Sequence, residues 1–318
     1  EAALQRMLQR ALLLTVRPYR RDRLLVEKVR QTLAEHPEHS RNADELAAWL
    51  NLSARTLHRQ LKEEGASLQQ LKDEVRSARA RELLQRSARP VKQISADVGF
   101  RNEKSFIRAF RGWQRNAAKR AKQAGFDIVY VYAGHDYLPF QFLSPRHNRR
   151  TDQYGGSLEN RVRLLREMIE DTKDAVGDTC AVAVRLAVDE LHGPAGITSE
   201  GEGREIVAML AELPDLWDVN VAGSLGNDSK SARFSAEGYQ EPQVAFVKTL
   251  TTKPVVSVGR FTSPDVMVSQ IRRGIQDFIG AARPSIADPF LPTKIREGRE
   301  DEIRECIGCN IYRALCSR

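Results

Sequence analysis

Five short apolar runs, DIVYVY at 127–132, CAVAVRLAV at 180–188, LWDVNVAG at 216–223, PVVSVG at 254–259 and DFIGAA at 277–282, alternate with helical stretches at 158–176, 200–213, 240–251 and 263–274. Runs this short and this apolar read as buried strands, and strands that alternate with amphipathic helices make parallel βα units. The second part of the chain is therefore α/β, with five of the eight βα units of a closed barrel. In such a sheet the chemistry gathers at the C-terminal ends of the strands. By position, Tyr132 and His135 follow the first run, Arg185 lies in the second and Asp228 follows the third, while Gly259-Arg260 and Ala282-Arg283 end the last two. Loops after the last two strands of a barrel often hold a phosphate, because small residues admit backbone N–H groups and an Arg adds charge. Taken singly, each has a plain alternative: a lone His such as His135 is more often a satisfied structural residue, and Arg185 could pair with a carboxylate inside the sheet.

Charge divides the chain differently. Residues 1–113 hold 23 Lys+Arg against 14 Asp+Glu, a net of +9, whereas residues 114–318 hold 27 against 28, a net of −1. All the excess basicity lies in the first third, the pattern of a segment that meets a polyanion. From Asn42, NADELAAWLNLSARTLHRQLKEEG places Leu46, Trp49, Leu50, Leu57 and Leu61 at helical spacing around a break at Asn51-Leu52-Ser53, which reads as helix, short turn, helix. Ser53 caps the second helix and Gly65 stops it. With Leu57 and Leu61 inward, Arg55, His58, Arg59 and Lys62 face out. PVKQISADVGFRNEKSFIRAFRGW repeats the arrangement: Val91, Ile94, Val98, Phe106 and Phe110 form the stripe, and Asn102 caps a helix whose outer face carries Glu103, Lys104, Arg108 and Arg111. Between them, 68–86 is a continuous helical pattern, long enough at ~1.5 Å per residue to span roughly 28 Å, close to the ~34 Å between successive major grooves.

Residues from about 25 to 113, with LSARTLHRQLKEEG and PVKQISADVGFRNEKSFIRAF, resemble the DNA-binding domain of AraC/XylS-type transcription regulators. The resemblance implies two recognition helices in adjacent major grooves of double-stranded DNA. Arg55, His58, Arg59 and Lys62 in the first, and Lys104, Arg108 and Arg111 in the second, would contact bases and phosphates. The usual Gly-Thr-Pro turn and last short helix of that family do not follow Trp113. The segment AGFDIVYVYAGHDYLPFQFLSPRHNRRTDQYGGSLENRVR, together with WDVNVAG, SVGRF, IGAARPSIADPFLPTKIREGR and CIGCN, resembles the old yellow enzyme class of FMN-dependent oxidoreductases, in its trimethylamine and dimethylamine dehydrogenase branch, over about 116–311. That resemblance implies a small amine substrate and a catalytic trio of Tyr132, His135 and Asp228. It also implies Arg185 at the pyrimidine edge of FMN, and Gly259, Arg260, Ala282 and Arg283 at its phosphate.

Four cysteines, three of them in the last thirteen residues, are too few and too clustered for a disulfide framework. Cys306 and Cys309 begin what, in the amine dehydrogenases, binds a four-iron four-sulfur cluster. Here Tyr312 takes the third position and Cys316 follows out of register, so the three thiolates are candidate metal ligands without the pattern of an intact cluster. Cys180, at the start of a strand, reads as core. No apolar run approaches a membrane span and no signal peptide is present, so the expected setting is cytoplasmic. The chain begins at Glu1, as a fragment would. The fold expected is thus multidomain: a helical remnant at 1–24, an all-α double helix-turn-helix at 25–113, a partial (β/α)8 barrel at 114–305 and a truncated cysteine motif at 306–318. The expected function joins a DNA-binding regulator module to a flavin barrel that, with five of eight units, retains FMN weakly and self-associates through its open edge strands. The alternative is a working FMN oxidoreductase acting on a small methylated amine, with the helical part incidental.

Overall fold

The computed structural model describes residues 25–36, 42–86, 89, 91–221 and 235–308. The helical remnant expected at 1–24 lies outside the described residues. The chain separates into two compact units, Glu1–Trp113 and Gln114–Arg318.

In the first unit, helices α1 (Leu25–Glu35), α2 (Ala43–Trp49), α3 (Ala54–Glu63), α4 (Leu68–Arg86) and α5 (Val91–Asp97) are followed by α6 (Glu103–Gln123). In the two pairs α2–α3 and α5–α6, three of the helices begin where a short polar side chain takes up a free backbone donor. Asn42 accepts from the N–H of Asp44, Ser53 from that of Thr56 and Asn102 from that of Ser105. Asn51 (φ 57°) and Gly99 (φ 86°) turn the chain between the members of each pair in the left-handed region, where Asn and Gly are the least strained. Val29, Leu33, Leu46, Leu57, Leu61, Leu68 and Leu71 form one buried cluster. Phe106 anchors a second, with the rings of Phe100 and Trp113 at 5.6 and 6.4 Å. The expected stripe on α2 needs one correction. Trp49 is 54% exposed and lies against His36, with 4.9 Å between ring centroids, because Leu46 and Ala47 already fill the inner face of so short a helix.

Helix α6 runs unbroken through Trp113 and Gln114, and ends at Gly125 (φ 84°), where the N–H of Phe126 reaches back to the Ala121 carbonyl. The second unit is built on five parallel strands: β1 (Ile128–Ala133), β2 (Ala181–Asp189), β3 (Leu216–Val221), β4 (Val255–Val258) and β5 (Phe278–Gly280). They lie in sequence order, with β1 and β5 outermost. This is a parallel α/β sheet of the partial-barrel kind. Helices α7 (Leu138–Leu143), α8 (Leu158–Val176), α9 (Glu202–Leu210), α10 (Glu241–Val244), α11 (Pro264–Arg272), α12 (Ala282–Ala287) and α13 (Leu291–Arg296) complete the unit. Val131, Val182, Val184, Leu186, Trp217, Val219 and Val255 are buried on one face of the sheet, and α8 and α9 are among the helices that pack on its strands.

Register is set at the N-terminal ends of the strands. Asp215, just before β3, accepts from the N–H of Val182 and pairs with Lys173 at 2.8 Å. Asp277, just before β5, accepts from the N–H of Val255 and pairs with Lys248 at 2.8 Å. Each carboxylate therefore fixes the alignment of two neighbouring strands while a lysine balances its charge.

The helix expected over 240–251 is instead the short α10 and a 3-10 turn, Val247–Thr249. Threonine hydroxyls compete for backbone carbonyls there: Thr249 Oγ1 bonds the Phe246 carbonyl and Thr251 Oγ1 that of Ala211. Helices α7, α12 and α13, each six residues long, are too short for a periodicity to show. Among the described residues no helix is long and apolar enough to cross a membrane.

The chain after β5 is tied down by Asp288, which is buried and accepts from Lys294 Nζ (2.6 Å) and from the N–H groups of Phe290 and Arg304 (3.0 Å each). The Lys294 hydrogen bond, helped by the Arg304 N–H, lowers its carboxyl from 3.8 to about 2. A depressed carboxyl contributes stability that is present above its unfolded value and is lost as pH falls through its folded value. The thermal midpoint should therefore be lower for Asp288→Asn than for the parent chain at about pH 6, and melting curves should show that gap closing between about pH 4 and 2.

Candidate functional site

The strands present two kinds of side chain alternately. Register places Tyr132 beside Arg185 and Arg185 beside Asp218, so one row across β1, β2 and β3 is polar on the face away from the buried valines. The row below it pairs Tyr130 with Ala183, and the row above pairs Ala187 with Asn220.

Arg185 donates from a terminal nitrogen to Asp218 at 2.8 Å, and its guanidinium carbon stands 5.6 Å from the Tyr132 ring centroid. Burial pushes the Asp218 carboxyl above its ordinary value, and the Arg185 charge only partly offsets the rise. Burial likewise raises the Tyr132 phenol, against the pull of Arg185, and raises Tyr130 with some help from Asp218. The Tyr132 hydroxyl is hydrogen-bonded to His135 Nδ1, and His135 Nε2 lies 3.2 Å from Asn220 Nδ2. His135 (φ 50°) and Asp136 (φ 59°) both occupy the left-handed region in a turn closed by the Tyr137 N–H on the Gly134 carbonyl. Non-glycine residues seldom adopt that conformation, and two in succession store strain at a point where side chains must be aimed.

At the ends of β4 and β5 the backbone is crowded. A Cβ on Gly259 would meet Gly238 Cα at 3.0 Å, and one on Gly280 would meet Val258 Cγ1 at 2.6 Å. Arg260 adopts φ 59° and donates to the Ser235 carbonyl at 2.8 Å. Ala282 and Arg283 open α12, with Ala282 exposed and Arg283 partly buried. Two buried guanidinium atoms, Arg185 Nε and Arg260 Nε, have no hydrogen-bond partner among the described residues. Unsatisfied buried donors are costly, and the resemblance to FMN-dependent oxidoreductases implies that these two arginines stand at opposite ends of a flavin mononucleotide. The residues present fit such a group.

Of the expected trio, Tyr132 and His135 come together, while Asp228 lies in 222–234, outside the described residues. Cys306 is a partly buried free thiol, and Cys309 and Cys316 are outside the described residues. Among the described residues no three His, Cys, Asp or Glu side chains form a metal-binding group. Cys180 is buried beside the start of β2. On α3, Arg55, His58, Arg59 and Lys62 are exposed, with Arg59 Nε 3.9 Å from Glu63. On α6, Lys104 and Arg108 are exposed and Arg111 is partly buried.

Asp218 and Asn220 went unread in the sequence, although two polar residues spaced by two in an apolar run are the mark of a shared strand face. Glu190 also went unread. It is buried and accepts from Ser144 Oγ and from the Ile197 N–H, with Arg146 at 3.4 Å. It thereby straps the segment after α7 to the end of β2. Arg161, buried in α8, binds the Leu143 carbonyl and Glu202, while Asn148 Nδ2 donates to the carbonyls of Phe142 and Tyr154. Much of the polar content of 140–163 is thus scaffold.

Residues 55–302 match the model of the NADH:flavin oxidoreductase / NADH oxidase family. Dimethylamine dehydrogenase of Hyphomicrobium sp. (strain x) is 46% identical over 198 residues, which cover 62% of this chain and 27% of that protein. Two solved structures are similar. The 6-hydroxypseudooxynicotine amine oxidase of Pseudomonas geniculata N1 has 63% identity and a TM-score of 0.63, covering 65% of this chain and 31% of that one. Histamine dehydrogenase of Rhizobium sp. 4-9 has 55% identity and a TM-score of 0.62, covering 65% and 30%. The chain therefore spans less than a third of the length of these relatives.

Removing one member of a buried ion pair strands the other, which costs about 3–5 kcal/mol, whereas replacing both by apolar residues is often close to neutral. Arg185→Met should therefore destabilise the second unit by ~3 kcal/mol. Arg185→Met combined with Asp218→Leu should recover most of that loss in urea unfolding curves, and equal losses in both would show that the pair does not act as a unit.

Proposed function

This chain belongs to the NADH:flavin oxidoreductase / NADH oxidase family, and from that premise we propose that its second unit takes part in the FMN-dependent oxidation of a small amine. The observation that carries the reading is the joining of Tyr132 and His135, at the C-terminal end of β1, with Arg185 in the middle of β2, where the Nε donors of Arg185 and Arg260 have no partner among the described residues. Similarity to a dimethylamine dehydrogenase and a histamine dehydrogenase, both named for amines, supports the substrate class. Bound FMN would supply the two-electron acceptor. Arg185, held by Asp218, would place positive charge at the isoalloxazine ring. Gly259, Arg260, Ala282 and Arg283 would take the phosphate. Tyr132 and His135 would handle the proton, through the hydrogen bond between the phenol oxygen and His135 Nδ1. Asp228 is proposed as the third member of that group.

A second use is proposed for the first unit, as a double helix-turn-helix that binds double-stranded DNA. It is supported by the polar caps that open α3 and α6 and by the exposed cations of those helices. Self-association through the edge strands β1 and β5 is proposed on their outermost place in the sheet.

Titration of the purified chain with FMN and with riboflavin, followed by flavin fluorescence, tests the first reading. Arg260→Ala should weaken FMN by roughly tenfold, the loss of about one hydrogen bond to a charged group, and leave riboflavin unchanged. Arg185→Ala should weaken both. Equal FMN affinity in all three proteins, or no bleaching of bound flavin by dimethylamine without oxygen, would remove the reading. For DNA, anisotropy titrations over a range of salt should show a slope that falls by about one when Arg59 or Lys104 becomes Ala.

A further inference from the structure

Asn220 is almost fully buried, at 2% exposure, and among the described residues only one end of its amide is satisfied. Nδ2 faces His135 Nε2 at 3.2 Å, while Oδ1 is buried without a hydrogen-bond partner among the described residues. A half-satisfied buried amide is destabilising, and a leucine of similar volume would serve packing better. What the amide supplies that leucine lacks is the donor to the histidine. The amide packs beside Gly134, on which a Cβ would make ordinary contact with Asn220 Oδ1 at 3.4 Å. The same glycine begins the turn that throws His135 and Asp136 into left-handed backbone.

We propose that Asn220 is a positioning residue for His135: by donating to Nε2 it holds the ring as the Nδ1–H tautomer, which then donates to the phenol oxygen of Tyr132. The logic is one of donors and acceptors. An NH2 group can only donate, so the ring nitrogen facing it must accept, and in a neutral imidazole the other nitrogen then carries the hydrogen. Tyr132 is left with its own hydrogen directed away from His135, and a phenolate formed there would be met by an N–H. Charged and titratable groups around the pair include, among the described residues, Arg185 over the Tyr132 ring, Asp218 on Arg185, Tyr137 with its ring 4.9 Å from that of Tyr132, and Asp136 with His147 3.8 Å from its carboxylate. The role rests on reading Tyr132 and His135 as the proton-handling pair.

Nitrogen NMR of the whole chain labelled with 15N-histidine tests the inference without flavin, the His135 signals being those lost in His135→Gln. Nε2 of the parent chain should be the unprotonated nitrogen. Asn220→Asp substitutes an acceptor, so the tautomer should reverse and the imidazole titration should move up by about one pH unit. Asn220→Leu should abolish the preference for a single tautomer, and a melting curve checks that it is folded. A protonated Nε2 in the parent chain, or unchanged His135 signals in either folded variant, would overturn the inference. Failure of flavin binding with these signals as expected would count against the proposed activity and leave the tautomer assignment standing.

Discussion

A guanidinium and a carboxylate set side by side on adjacent parallel strands organise the second unit. Arg185 and Asp218 are register partners on β2 and β3, on the face of the sheet opposite the buried valines. Burying either alone would be prohibitive, so the presence of one requires the other. The pair also spreads its influence sideways. The Arg185 charge lies against the Tyr132 ring and opposes the effect of burial on that phenol. The carboxylate adds to the rise at Tyr130. Two tyrosines one strand-period apart are thereby given different surroundings by the same ion pair.

How much of this was legible in the amino-acid sequence depends on whether a feature is local. The five strands were read close to their limits, because a short apolar run between helices leaves few other solutions. Helix 158–176 was read to the residue, since Ser157 caps it and Gly177 ends it. Tyr132, His135 and Arg185 stood out as polar groups at or near strand ends. Asp218 and Asn220 did not, because a run such as LWDVNV looks uniformly buried until its register with β2 shows which side chains share a face. The stretch at 240–251 had helical spacing, but threonine hydroxyls and tertiary partners decide its backbone. Trp49 had the right spacing for a core position and lies on the surface beside His36. Spacing names a face, and only the neighbours decide whether that face is covered.

The first unit makes the same point from the other side. Its caps, turns and leucine stripe are local and were visible. Whether a row of exposed cations meets phosphate or water is decided by a partner, about which spacing and burial are silent. The most motif-rich part of the second unit, residues 140–163, is similarly deceptive. Its arginines and asparagines look chemical, yet Arg161 and Asn148 are spent on carbonyls and a carboxylate that hold the connection between α7 and α8.

Asp215 and Asp277 lie at the starts of their strands, each gripping a neighbouring strand's N–H under a lysine. Because a one-residue slip would reverse every side chain in a strand, whatever pins alignment must not itself be open to change. Here the pins are at the floor of the sheet, and Tyr132 and His135 stand at its rim. The rim can therefore be rewritten, one loop at a time, without unsettling the frame that aims it, and a single scaffold of this kind can be carried from one substrate to another.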